Sequence, residues 1–205
     1  WICSVPPNDT RTKMYGLAIA EDRDMAIKSA LSDMIAKQGT TIESTFDSKE
    51  VVEQFYSSSV VKFDIKSSVS KIKVNNYKVI KSYRINYNEF AVMIETDKIK
   101  FIQGLKNDFD VEKKAIDQEY DTLANQDILH RYNGKKTLAN RASKLIPLIL
   151  MLNTLDKSID KDVKMKFVLA KKKAFLDEAN SLKFYISGNK KSMPFVDKIK
   201  NNLVH

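Results

Sequence analysis

The residue types that could carry out a reaction are few in this 205-residue chain, and they are widely spread. Histidine occurs at His130 and His205 only, and cysteine at Cys3 only. An imidazole metal site, a thiolate zinc cluster or a Ser-His-Asp relay needs several such groups converging on one point, and this inventory does not supply them. His130 lies in the polar stretch DILHRYNG, where a solvated loop or helix end is expected rather than a general base, and His205 is terminal. Glu21, Asp22 and Asp24 do cluster, but at the junction of a strand-like and a helix-like segment, so capping is expected of them rather than proton transfer. Gly16 stands outside any glycine-rich phosphate loop and reads as a close approach between strand and helix. No catalytic residue, cofactor or metal ligand is expected, and the chain is read as a protein that is not an enzyme.

One cluster remains. Lys157, Lys161, Lys164, Lys166, Lys171, Lys172 and Lys173 face only Asp160 and Asp162 between residues 157 and 173. The formal net charge is +9, of which +2 lies before a cut after Gln103 and +7 beyond it. Lys161, Lys164, Lys171, Lys172 and Lys173 are the candidate surface for an anionic partner such as phosphate, an anionic membrane or an acidic glycan. The competing reading is a solvated helix face, because lysine outnumbers arginine 30 to 5 and arginine is the residue suited to bidentate phosphate recognition. No RNP-like aromatic pattern or recognition helix accompanies the lysines, so nucleic acid is not an expected partner, while peripheral membrane contact stays open.

The elements that must position these groups follow from periodicity. MYGLAIAE (14–21) alternates, with Tyr15, Leu17 and Ile19 on one face and small Gly16, Ala18 and Ala20 on the other, which predicts a strand closely covered on its small side. In DRDMAIKSALSDMIAKQG, Ala26/Ile27, Ala30/Leu31 and Met34/Ile35 form one helical stripe, with Asp22 or Asp24 as N-cap and Gly39 as the expected stop. TTIESTF then predicts a strand, with Ile42, Ser44 and Phe46 in step, and residues 48–70 read as a helix passing into a strand. Val74, Tyr77, Val79, Tyr83 and Ile85, a turn at Asn86 to Asn88, and Phe90, Val92 and Ile94 predict a β-hairpin. The first expected domain, 1–97, is an α+β unit with an antiparallel sheet and helices packed on one face.

Beyond Asp97 the period becomes helical. Ile102, Leu105, Phe109, Ile116, Tyr120 and Leu123 predict one long helix from Lys98 to His130, and Asn133-Gly134 a turn. Leu138, Ala142, Leu145, Ile149 and Leu152 predict a second helix kinked at Pro147. A third, from Lys161 to Leu182, carries Val163, Phe167, Ala170 and Ala174 on its expected seam. The second domain, 98–182, is thus a long-helix hairpin or three-helix bundle. Phe184, Tyr185 and Ile186, a turn at Ser187 to Asn189, and Phe195, Ile199 and Leu203 predict a strand and helix that open a third α/β unit, 183–205, packed here on the bundle.

No apolar run approaches a membrane span, and the best, LIPLILML, is eight residues long. The chain starts at Trp1 without a Met or a signal-like stretch, so a precursor with an upstream export signal is expected, and Cys3, after Trp-Ile, lacks the small-residue context of lipid attachment.

WICSVPP at the start, the YGLAIAE strand, the helix DMAIKSALSDMIAKQ, the stretch TTIEST and the hairpin end NEFAVMIETDK together resemble one bacterial family. It is the twenty-kilodalton outer-membrane lipoprotein family of Helicobacter and Campylobacter, which includes flagellar outer-membrane lipoproteins. The resemblance covers residues 1 to about 103. The helical half resembles, more loosely, a larger secreted multi-domain relative of that family. Such membership implies an exported protein, secreted or at the outer membrane or periplasm, with a structural, flagellum-associated or host-contacting role and no catalytic residues. Two expectations follow: a modular protein binding an envelope or host protein, or an electrostatic binder acting through the lysine-rich helix.

Overall fold

The structure, a computed structural model, describes residues 9–46, 72–182, 191–196 and 198. Strand β1 (Lys13–Ala20) is followed by helix α1 (Arg23–Phe46), and the hairpin of β2 (Tyr77–Asn86) and β3 (Glu89–Asp97) completes a sheet of order β1-β3-β2. Both pairings are antiparallel, with Gly16 opposite Ile94 and Ala18 opposite Val92 across β1 and β3. Helices α2 (Lys98–Thr122), α3 (Ile128–Ser143), α4 (Ile146–Leu155) and α5 (Lys161–Ser181) complete the α+β fold.

The small side chains of β1 explain how α1 seats on the sheet. A Cβ on Gly16 would lie 2.0 Å from the Ala30 carbonyl oxygen, so only glycine admits the helix at this depth. Ala26, Ala30, Met34 and Ile35 of α1 are buried with Met14, Val92 and Ile94 of the sheet. Asp22 caps α1, its carboxylate accepting the Met25 N–H at 2.7 Å.

Gly39 does not stop α1. It is buried within the helix, which runs on through the TTIESTF stretch, where a strand is expected from the alternation. A helical glycine costs only about 1 kcal/mol relative to alanine, and the hydroxyl of Thr40 donates to the Ala36 carbonyl at 3.1 Å, so this β-branched residue is accommodated inside the helix. The expected helix-to-strand passage over 48–70 lies outside the described residues.

The hairpin turn is at Tyr87-Asn88. The Asn86 side chain accepts the Asn88 N–H at 2.9 Å, and Arg84 donates to the carbonyls of Asn86 and Tyr87 at 3.1 and 3.0 Å. β3 leads directly into α2, because the Asp97 side chain accepts the Lys100 N–H at 3.0 Å and caps the helix.

The expected single helix from Lys98 to His130 is two. After α2 a short 3-10 turn, Leu123–Asn125, leads to Asp127, whose carboxylate accepts the Leu129 and His130 N–H groups and starts α3. Asn133-Gly134 is therefore inside α3 rather than a turn. Its glycine serves packing, since a Cβ on Gly134 would lie 2.5 Å from Leu123 Cδ2. Pro147 does not kink a helix either: α3 ends at Ser143, and Pro147 occupies the first turn of α4, where its missing N–H is not needed.

α4 is apolar around its circumference and packs against α1, α2 and α5. Its Ile149, Met151 and Leu152 join the same core as Ala30 of α1, Leu105 and Phe109 of α2, and Met165 and Val168 of α5. The seam of α5 follows expectation at Phe167, which packs against the core, and departs from it elsewhere. Val163 is 60 % exposed, Ala170 is exposed, and Met165 and Val168 point inward, because lysines occur all round this helix and leave no clean apolar stripe to read. Of the C-terminal piece, Met193–Val196 form a short helical segment with Val196 buried. The expected strand at Phe184, Tyr185 and Ile186, and the helical positions Ile199 and Leu203, lie outside the described residues.

Candidate functional site

The long helices α2, α3 and α5 are joined in pairs, and a charge cluster sits at each seam. Between α2 and α3, Arg141 Nε donates to Glu112 at 2.9 Å and its Nη1 to Glu119 at 2.5 Å. Glu112 and Glu119 are two turns apart on α2, so one forked guanidinium spans both. Their carboxylates hold the Arg141 guanidinium well above its usual range, through those hydrogen bonds first and their charge second. Between α3 and α5, Glu178 receives Arg131 Nε at 3.0 Å and Lys135 Nζ at 2.6 Å. The Glu178 side chain is only 8 % exposed, and the bonds from Lys135 and then Arg131 push its carboxyl below the ordinary value.

Between α2 and α5, Asp117 takes Lys171 Nζ at 2.7 Å and Lys113 Nζ at 2.8 Å. Burial pulls the Asp117 carboxyl up, but the two lysine hydrogen bonds outweigh it and leave it lowered. Lys171 also lies 4.1 Å from the centre of the Tyr120 ring, and Lys164 lies 4.0 Å from the centre of Phe109. Phe109 and Phe167 meet edge to face at 6.4 Å.

The five candidate lysines therefore divide. Lys164 and Lys171 turn onto α2, where aromatic rings and Asp117 engage them. Lys173 is exposed and Lys161 and Lys172 are half-buried; no ion pair among the described residues engages these three. Of the five, the structure thus brings only Lys161, Lys172 and Lys173 to solvent as unpaired charges.

The other sequence candidates fall as follows. Asp127 caps α3 and hydrogen-bonds the His130 ring; the His130 N–H and then its imidazole hold the Asp127 carboxyl below its ordinary value, and both side chains are exposed. Glu21, Asp22 and Asp24 stay at the strand-to-helix junction, with Asp22 as the cap. Among the described residues, no group of three or more His, Cys, Asp or Glu could hold a metal ion. Grooves among the described residues include one of about 460 Å³ beside Lys13, Tyr77 and Glu95, and one of about 500 Å³ beside Leu123, His130 and Gly134.

The hairpin read from periodicity presents an outward apolar surface. On β2 and its turn, Tyr83 is 54 % and Tyr87 84 % exposed, with Tyr77, Ile80 and Ile85 also exposed. The signal available in sequence was the interleaving of Lys78, Lys81 and Arg84 with these residues, which is characteristic of a lateral strand.

Sheet, helix backing and charge-joined seams define the class as an α+β protein with a three-stranded antiparallel sheet continued into a helical bundle. No family model and no curated protein matches the chain, so the lipoprotein likeness read from residues 1 to about 103 has no matching family behind it. Among solved structures, the chain is similar to one described as the secreted protein HP1454 from the human pathogen Helicobacter pylori. That similarity has 15 % identity and a TM-score of 0.46, covering 77 % of this chain and 59 % of that one. The chain thus spans less than two thirds of the length of this neighbour. Among the described residues, no helix is long and apolar enough to cross a membrane.

Proposed function

We propose that this is a non-enzymatic bacterial protein, secreted or associated with the envelope, that binds a protein partner through the β2-β3 hairpin. The observation that carries this reading is the row of exposed Tyr77, Ile80, Tyr83, Ile85 and Tyr87 on a single lateral strand and its turn. Tyrosine supplies large contact area at low entropic cost and is enriched where binding energy concentrates. The partner is an envelope, flagellar or host protein, as the residue-level lipoprotein resemblance implies. Pull-downs from envelope fractions and host-cell lysates with the parent and a Tyr83→Ala/Tyr87→Ala variant test it. A saturable partner lost in the variant supports the proposal; equal capture by parent and variant removes it.

The second reading is electrostatic binding of an anionic polymer or membrane, favoured by the unpaired positions of Lys161, Lys172 and Lys173 on α5. Its signature is affinity for anionic vesicles that falls steeply with salt and disappears on reversing these three lysines to Glu. Flat binding at low salt removes it.

A further inference from the structure

The outward edge of β1 is already hydrogen-bonded, although no strand among the described residues lies against its first half. Lys13 donates its N–H to Thr10 Oγ1 at 2.9 Å, and its carbonyl accepts the Thr10 N–H at 2.8 Å. The Tyr15 N–H donates to Asp9 Oδ1 at 3.0 Å, and the Tyr15 carbonyl accepts Lys37 Nζ at 3.3 Å. The Leu17 N–H donates to Asp33 Oδ2 at 3.1 Å. The two carboxylates are themselves tied to α1, Asp9 by Gln38 Nε2 at 2.8 Å and Asp33 by Lys37 Nζ at 2.7 Å. From Lys13 to Leu17, side chains and a short hook thus occupy positions that a neighbouring strand would otherwise take.

An unpaired strand edge is a template for another chain, and proteins blunt such edges. The opposite edge of this sheet, β2, is blunted in a different way, with register breaks between Val79 and Lys81 and between Arg84 and Asn86 beside lysines and an arginine. β1 has neither device: KMYGLAIA has one charge, at its start, and pairs with β3 in unbroken register.

We infer that Asp9, Asp33 and Lys37 form a latch over a strand-accepting edge, and that the strand it excludes is β1 of a second copy of this chain. The sequence of β1 together with Glu21, which follows it, is self-complementary when run antiparallel about Leu17. Lys13 then faces Glu21 of the other copy, Tyr15 faces Ile19, and Leu17 faces Leu17, so unlike charges and apolar side chains meet. The latch makes this pairing conditional: the edge accepts a second β1 only when the carboxylates leave it.

The test compares masses by sedimentation equilibrium. An Asp9→Ala/Asp33→Ala variant is expected to show twice the mass of the parent, and a folded variant of parental mass overturns the inference. Asp33→Asn keeps an acceptor for the Leu17 N–H and is expected to retain parental mass; doubling there overturns the hydrogen-bond latch. In the alanine variant on a Cys3→Ser background, a Leu17→Cys change is expected to give a disulfide-linked dimer, since Leu17 faces itself across the pairing; no cross-link overturns the β1 interface. Should the alanine variant fail to fold, hydrogen exchange on the parent decides. The Tyr15 and Leu17 amides are expected to exchange at least about tenfold slower than an open chain, and unprotected exchange overturns the latch.

Discussion

Gly16 of β1 lies under Ala30 of α1 so closely that any added Cβ would stand 2.0 Å from the Ala30 carbonyl oxygen. The obstacle is helix backbone, which cannot rotate aside as a side chain can. Gly16→Ala is therefore expected to cost about 3 kcal/mol by forcing helix and sheet apart. At Gly104, inside α2, an added Cβ would meet nothing within 4 Å, so Gly104→Ala is expected to stabilise by about 0.5 to 1 kcal/mol. Urea unfolding of both variants checks the pair, and similar midpoints would contradict the packing described.

Arg141 is held by two carboxylates at once, and the fork of its guanidinium is what permits this. A lysine at the same place can reach only one of them. Arg141→Lys is thus expected to cost about 1 kcal/mol despite the unchanged charge, and Glu119→Gln should cost less in the Lys background than in the parent. A double-mutant cycle by thermal or urea unfolding measures the coupling.

Glu178 and Asp117 give the bundle an acid limit. Both carboxyls titrate lower in the fold than their ordinary values of 4.5 and 3.8, so the unfolded chain takes up protons first. Their contribution is complete above those ordinary values and is lost as pH falls through the lowered ones. Glu178→Gln is expected to cost about 2 kcal/mol at neutral pH, between the limits for exposed and buried pairs. Its stability should also fall less steeply than that of the parent between about pH 5 and 3. Urea midpoints across that range measure the effect, and parallel curves would contradict it.

Lys171→Ala removes both the Asp117 pair and the contact with Tyr120, and is expected to lose about 1 kcal/mol. Lys172→Ala and Lys173→Ala should remain within about 0.5 kcal/mol of the parent. For the same reason, charge reversal aimed at anion binding belongs at Lys161, Lys172 and Lys173, where it leaves the α2-α5 seam intact.

What was readable in the sequence was what depends on near neighbours. The alternation of MYGLAIAE, the stripe of Ala26, Ala30 and Met34, and the hairpin around Asn86 to Asn88 specify their elements through local spacing. Gly39, Gly134 and Pro147 each have two uses, and spacing alone does not choose between them. Gly134 is spaced for Leu123, and Pro147 opens a helix rather than bending one. The lysine face divides for a related reason: Lys164 and Lys171 are engaged by Phe109, Asp117 and Tyr120, some fifty residues earlier, and no local pattern announces those pairings.

The apolar helix α4 touches α1 on one side and α2 and α5 on others, so sheet and helices share one interior through it. Its residues cannot be wetted on one flank without opening the other. Cutting the gene between Asp97 and Lys98 would therefore yield a sheet fragment with a bare helix and a bundle fragment with an uncovered one. The intact chain should instead melt in a single calorimetric transition, and a load applied to the sheet would be borne by the helices as well.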